Sequence, residues 1–175
     1  MLGLGLVEHP QRAPAHLGRV LLIHRFHPCS KNGTKPRPIH FSAGALALEP
    51  GGDPVYAAVA VRTTDTTTLD GTLALQGAVL GAGDSADLAA ALDLRVAYAE
   101  DSLAACDADA FGPGSIIVDT TLAAGTPATS TQAVDKEAGN VLIYCFELSL
   151  PADESTNQAL MGQTVSPSWE IRAES

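Results

Sequence analysis

Val141–Leu150 (VLIYCFELSL) is the stretch on which the fold turns. Leu142, Tyr144, Phe146, Leu148 and Leu150 fall on one face of a period-two pattern, and Val141, Ile143, Cys145, Glu147 and Ser149 on the other. That alternation, rich in aromatic and branched side chains, reads as a strand, and Pro151 ends it. Working upstream, Ser115–Thr121 (SIIVDTT) reads as a strand after the turn Gly112-Pro113-Gly114. Asp93–Ala99 carries Leu94, Val96 and Tyr98 on one face, and Val55–Arg62 carries Val55, Val59 and Val61 on one face with Tyr56 and Arg62 on the other. Thr72–Leu80 is a further strand with Gly77 as a bulge. Gly44–Glu49 is a first strand, and residues 49–54 form a turn. Downstream, Gln163–Ile171 is the last strand, with Val165, Trp169 and Ile171 together.

Between the strands, Ser85–Leu92 is the one good helix signal. Asp84 or Ser85 supplies the N-cap, Asp87 lies in the first turn, and Leu88 and Leu92 are spaced four apart. The run Thr63–Thr68 is a strand edge or loop, and Gly81–Asp84 is a turn. The segment Ala123–Gly139 reads as a loop with a helical turn around Asp135–Ala138, and Ser155–Met161 as another helical turn. No internal repeat is visible. Short strands at this spacing predict an all-β fold: a jelly-roll-like antiparallel β-sandwich with one short inserted helix.

The charge is unevenly distributed. Residues 1–40 hold six basic groups (Arg12, Arg19, Arg25, Lys31, Lys35, Arg37), one acid (Glu8) and all five histidines (His9, His16, His24, His27, His40). Residues 41–175 hold nineteen acids against Arg62, Arg95, Lys136 and Arg172. The break divides the chain into an atypical basic segment, 1–40, and a β-sandwich domain, 41–175. Three readings fit the basic segment: a targeting sequence, a disordered arm studded with Pro10, Pro14, Pro28, Pro36 and Pro38, or a misassigned start. Its unbroken apolar run, Val20–Ile23, is shorter than a secretory core of about 7–15 residues or a membrane helix of about 20. The overall charge of −10 argues against a nucleic-acid partner, which needs clustered Lys and Arg.

Candidate chemistry is sparse. Cys106 and Cys145 read as a disulfide in an oxidising compartment, a bridge worth about 4 kcal/mol in the chain-entropy model; two reduced thiols are the alternative. Cys29 is left over in the basic segment. A cysteine nucleophile needs a neighbouring histidine, and residues 41–175 contain none. His24, His27 and Cys29 lack the second ligand pair of a zinc site. Asp107 and Asp109 lack the spacing of a calcium loop and read as a solvated turn. Gly81 and Gly83 precede a helix without the pattern of a phosphate loop. The expectation is a protein with no catalytic residues, no metal and no cofactor.

Five local patterns, in order, carry a family resemblance. They are Phe41–Leu48 (FSAGALAL); Gly52-Asp53-Pro54-Val55-Tyr56; Ala105-Cys106-Asp107 with Phe111; Tyr144–Leu148 running to Leu150-Pro151; and Leu160–Thr164 (LMGQT) before Trp169. Together they resemble the actinobacterial branch of the SipW-dependent-type exported proteins, the wider group that includes TasA and camelysin. Met161 stands where that family usually has Gln, and residues 1–40 supply neither its long hydrophobic signal peptide nor its short mature segment. The resemblance implies a jelly-roll sandwich, extracellular or at the cell surface, serving as a structural subunit of the biofilm matrix. It implies self-association, or partnership with other surface and matrix proteins, with fibres formed when one subunit donates an N-terminal strand to the next. The donor here lies upstream of about Ser42, and Pro36 and Pro38 make Lys31–His40 a poor one. The alternative is a monomeric surface-attached binding module for carbohydrate or protein. That function needs an exposed aromatic platform drawn from Tyr56, Tyr98, Tyr144, Phe111 and Trp169.

Overall fold

In the computed structural model the strongest strand of the sequence is an interior strand of its sheet, with neighbours on both sides. The structure describes residues 50–103, 105–152, 159–160 and 162–175, and the backbone alone of three earlier strands. In chain order the elements are β1 (Leu4–Gly5), β2 (Leu21–His27), β3 (Ile39–Ser42), β4 (Val55–Thr63), β5 (Gly71–Leu75), α1 (Ala86–Ala91), β6 (Asp93–Glu100), β7 (Ile116–Thr121), β8 (Gln132–Val134), β9 (Leu142–Ser149) and β10 (Trp169–Glu174). Single 3-10 turns lie at Ala108–Phe111 and Leu122–Ala124.

Two antiparallel sheets form a sandwich. One has the order β4-β9-β6-β7 and the other β10-β5-β8. The pairing is nested: β4 with β9, β5 with β8, and β6 with β7. A long antiparallel ribbon has been folded on itself, and the added β6–β9 ladder rolls it up. This is the winding of a jelly roll, with β10 on the free side of β5. The early strands extend both sheets, β1 beside β4, and β2 in parallel beside β10 with β3 beyond it.

The core lies between the sheets. Leu142, Tyr144, Phe146 and Leu148 of β9 face inward, as the alternation predicts, with Val59, Val61, Leu94 and Val96 from their neighbours. Leu73, Leu75, Trp169 and Ile171 meet them from the other sheet, and the Phe146 and Trp169 rings touch across the gap at 5.0 Å. Each large apolar side chain so buried contributes roughly 2 kcal/mol. One polar pair enters the core: the Tyr144 hydroxyl donates to Gln132 Oε1 at 2.9 Å. Helix α1 follows its sequence signal. Ser85 is the N-cap, its Oγ accepting from the Leu88 N–H at 3.0 Å, and Ala89 is buried. The same hydroxyl bonds Gln163, tying the helix to the segment before β10.

Four expectations differ from the structure. The strand at Thr72–Leu80 ends at Leu75, and Gly77 is a close approach rather than a bulge: a Cβ there would lie 1.7 Å from the Gly125 carbonyl oxygen. The segment Ala123–Gly139 contains β8, not loop alone. The turn at Asp135–Ala138 is no helical turn, because Glu137 and Ala138 have positive φ and Asn140 closes it with a 2.8 Å bond to the Asp135 N–H. The last strand begins at Trp169 and runs on to Glu174. The expected strand at Gly44–Glu49 and most of Ser155–Met161 lie outside the described residues.

Candidate functional site

The outer face of the four-stranded sheet carries the chemistry. Side chains alternate across β9, so Cys145 and Glu147 point away from the core that Tyr144 and Phe146 fill. Register then sets two rows. Ala58, Cys145 and Ala97 lie abreast on β4, β9 and β6, and Tyr56, Glu147, Arg95 and Asp119 lie abreast on β4, β9, β6 and β7. The first row is small. That allows the β6–β7 connection, residues 101–115, to lie flat on the sheet.

Cys106 of this connection is bonded to Cys145, with Cα atoms 5.4 Å apart. The sequence expectation of a Cys106–Cys145 bridge therefore matches the structure, and such bridges persist in oxidising surroundings. Phe111, Ala97 and Cys145 form a buried cluster of their own, with Tyr56, Leu103, Ala110 and Ile116 packed against it. A register shift between Val96 and Ala97 turns Ile116 toward this outer cluster and leaves Ile117 in the main core.

The second row holds charge under the same cover. Arg95 Nη1 donates to Glu147 Oε1 at 3.1 Å. The Glu147 side chain is only 8% exposed, whereas that of Arg95 is 32% exposed. The Arg95 guanidinium lies 4.8 Å from the centre of the Phe111 ring, a cation–π contact. Tyr56 meets the same ring at 6.1 Å. Burial first, and then the neighbouring Glu147 carboxylate, hold the Tyr56 hydroxyl above its ordinary pKa. The buried carboxylate is paired with Arg95, and the arginine links it to the connection that covers it.

Comparison with family models, curated proteins and solved structures found no match to this chain.

Other sequence candidates fall elsewhere. Asp107 Oδ1 accepts from the Asp109 N–H at 3.1 Å, capping the 3-10 turn. Among the described residues no group of three or more His, Cys, Asp or Glu side chains could hold a metal ion, and no helix is long and apolar enough to cross a membrane. Cys29 and the side chains of His24 and His27 lie outside the described residues. Of the aromatic candidates for a binding platform, Tyr144, Trp169 and Phe111 are buried, and Tyr56 and Tyr98 are half-buried. Sequence reasoning missed the Arg95–Glu147 pair. Its signal is one charge of each sign, each set between large apolar neighbours, Leu94 and Val96 for Arg95 and Phe146 and Leu148 for Glu147.

Proposed function

We propose that this chain is a secreted cell-surface or biofilm-matrix structural subunit that assembles by strand donation. The observation that carries the reading is the parallel pairing of β2 with β10, in which Trp169 stands opposite His24 and Arg172 opposite His27. The sheet edge at β10 takes a strand from a segment well over a hundred residues away in sequence. A segment joined to its sheet only by such an edge can pair with a neighbouring copy instead, with main-chain hydrogen bonds supplying the affinity. The strand lies at Leu21–His27, upstream of Pro28, so the prolines at 36 and 38 do not interrupt it. The disulfide supports an oxidising location, and the acidic surface supports solubility outside the cell. The five sequence patterns shared with the TasA and camelysin group point the same way.

The test has two parts. Peptide mapping without reduction of medium and surface fractions should find residues 50–175 there, joined through Cys106 and Cys145. The full chain, concentrated and imaged by negative-stain electron microscopy, should form filaments that are lost when residues 1–42 are deleted. A full chain found only in the cytoplasm, or one that stays monomeric at every concentration, overturns the reading.

A further inference from the structure

The β6–β7 connection differs from the other loops in how it is held. Asp101 anchors its start: its N–H donates to the Val141 carbonyl at 2.7 Å, and its carboxylate accepts from the Val141 N–H at 3.0 Å. At its end the Ser115 carbonyl accepts from the Tyr98 N–H at 3.0 Å. Between these anchors, among the described residues, the Ser102 N–H turns back to the Glu100 carbonyl at 2.6 Å and Cys106 Sγ lies 3.2 Å from the Ala57 carbonyl oxygen of β4. The other hydrogen bonds stay inside the connection: Ala110 N–H to the Asp107 carbonyl, Asp109 N–H to the Asp107 carboxylate, and Ser115 Oγ to the Ala110 and Gly112 carbonyls. Among the described residues no backbone ladder joins it to the strands beneath. Among the described residues it is held down by the Cys106–Cys145 bridge, by the Phe111 ring against Arg95 and Tyr56, and by Leu103 and Ala110 packed on the same cluster. The cluster it covers is separate from the main core, which lies on the opposite side of the sheet.

We infer that the β6–β7 connection, in its described residues 102–103 and 105–114, is a thiol-releasable flap, which opens when the Cys106–Cys145 disulfide is reduced and leaves the sandwich folded beneath it. Cys106 is partly exposed and Cys145 is 1% exposed, so an external thiolate attacks the Cys106 sulfur. The Cys106–Cys145 bond breaks, and Cys145 leaves as a thiolate that takes a proton. A second external thiol then resolves the mixed disulfide on Cys106. Two thiols are oxidised to one disulfide, and the protein disulfide is reduced to two thiols. Without the bridge, Phe111 and a few small apolar contacts must hold the whole connection against its regained conformational freedom. Opening also returns water to Glu147 and Arg95, which favours the open form. The newly accessible floor is Ala97, Cys145 and Glu147.

The experiment uses the full chain in native buffer with dithiothreitol, reduction being confirmed by mass. Iodoacetamide is then pulsed, and amide exchange is followed by peptide. An open flap lets Cys145 alkylate within about tenfold of the Cys106 rate, and raises exchange across 102–114 while β6 and β9 stay protected. The Cys106→Ser variant should show the same exchange pattern without reductant. If Cys145 stays blocked while Cys106 reacts, the flap closes on its own contacts and the inference fails. It fails equally if β6 and β9 lose protection together with the flap, because the bridge is then a staple of the whole sandwich.

Discussion

Glu147 is a carboxylate in the middle of the most apolar strand of the described residues, and its tolerance there depends on Arg95. Truncating one partner of a buried pair leaves the other charge uncompensated. Arg95 is about a third exposed, which reduces the penalty, so Arg95→Ala should lower stability by about 2 kcal/mol, measured by urea denaturation. Tyr56 and Tyr144 both have raised pKa values, Tyr144 through burial. The folded protein therefore holds these two protons more tightly than the unfolded chain does. The stabilisation is complete below the ordinary tyrosine pKa of about 10 and is lost as pH rises through the folded values. The urea midpoint should fall as pH rises above about 10, and Tyr144→Phe should flatten part of that slope. The same variant should cost about 1–2 kcal/mol at neutral pH, because buried Gln132 loses its donor. Gly77 is constrained by space rather than by φ. Gly77→Ala drives a methyl group into the Gly125 carbonyl and should destabilise by about 3 kcal/mol in the same assay.

Helix α1 is a short element whose stability depends on its cap. Ser85→Ala removes the acceptor for Leu88 and the bond to Gln163, and should cost about 1 kcal/mol in thermal or urea unfolding. The elements also mark what the sequence disclosed. Strands β4, β6 and β9 alternate large apolar residues with others, β7 opens with the apolar run Ile116-Ile117-Val118 after a Gly-Pro-Gly turn, and their positions follow from those patterns. Strand β8 does not: its three residues are Gln132, Ala133 and Val134, and the inward position Gln132 is polar because it binds Tyr144. A core position filled by a glutamine defeats any pattern based on hydrophobicity. Residues 163–166 look like strand but serve as caps, Gln163 and Thr164 binding Ser85, and Ser166 binding Asp84, while Ser168 makes a single antiparallel bridge to Val79. The continuation of β10 past Ile171 rests on Ala173, too small to signal a core face. The cysteines of the site were legible as a pair. The Arg95–Glu147 pairing was not, because it depends on which strands become neighbours across 52 residues of sequence.

The whole molecule sets a strongly acidic domain, with nineteen acids against four basic groups in residues 41–175, beside a basic first segment. Self-repulsion within that domain should ease as salt screens it, with the Debye length falling from about 10 Å at 0.1 M to about 3 Å at 1 M. The thermal midpoint of a chain lacking residues 1–42 should therefore rise with sodium chloride. The nested pairing has a consequence in time as well as in space. The inner hairpin, β6 with β7, closes the shortest stretch of chain, and the outer pair, β4 with β9, closes the longest. Loop-closure entropy favours the inner pair first, with each later pair shortened by the one before it. Folding should proceed by zipping outward from β6–β7. Val96→Ala, in the inner hairpin, should slow refolding by nearly its full loss of stability. Val59→Ala, in the outer pair, should mainly speed unfolding. A chain threaded through a membrane from its N-terminus would then emerge with β4 idle, and it could not complete its first sheet until β9 had followed.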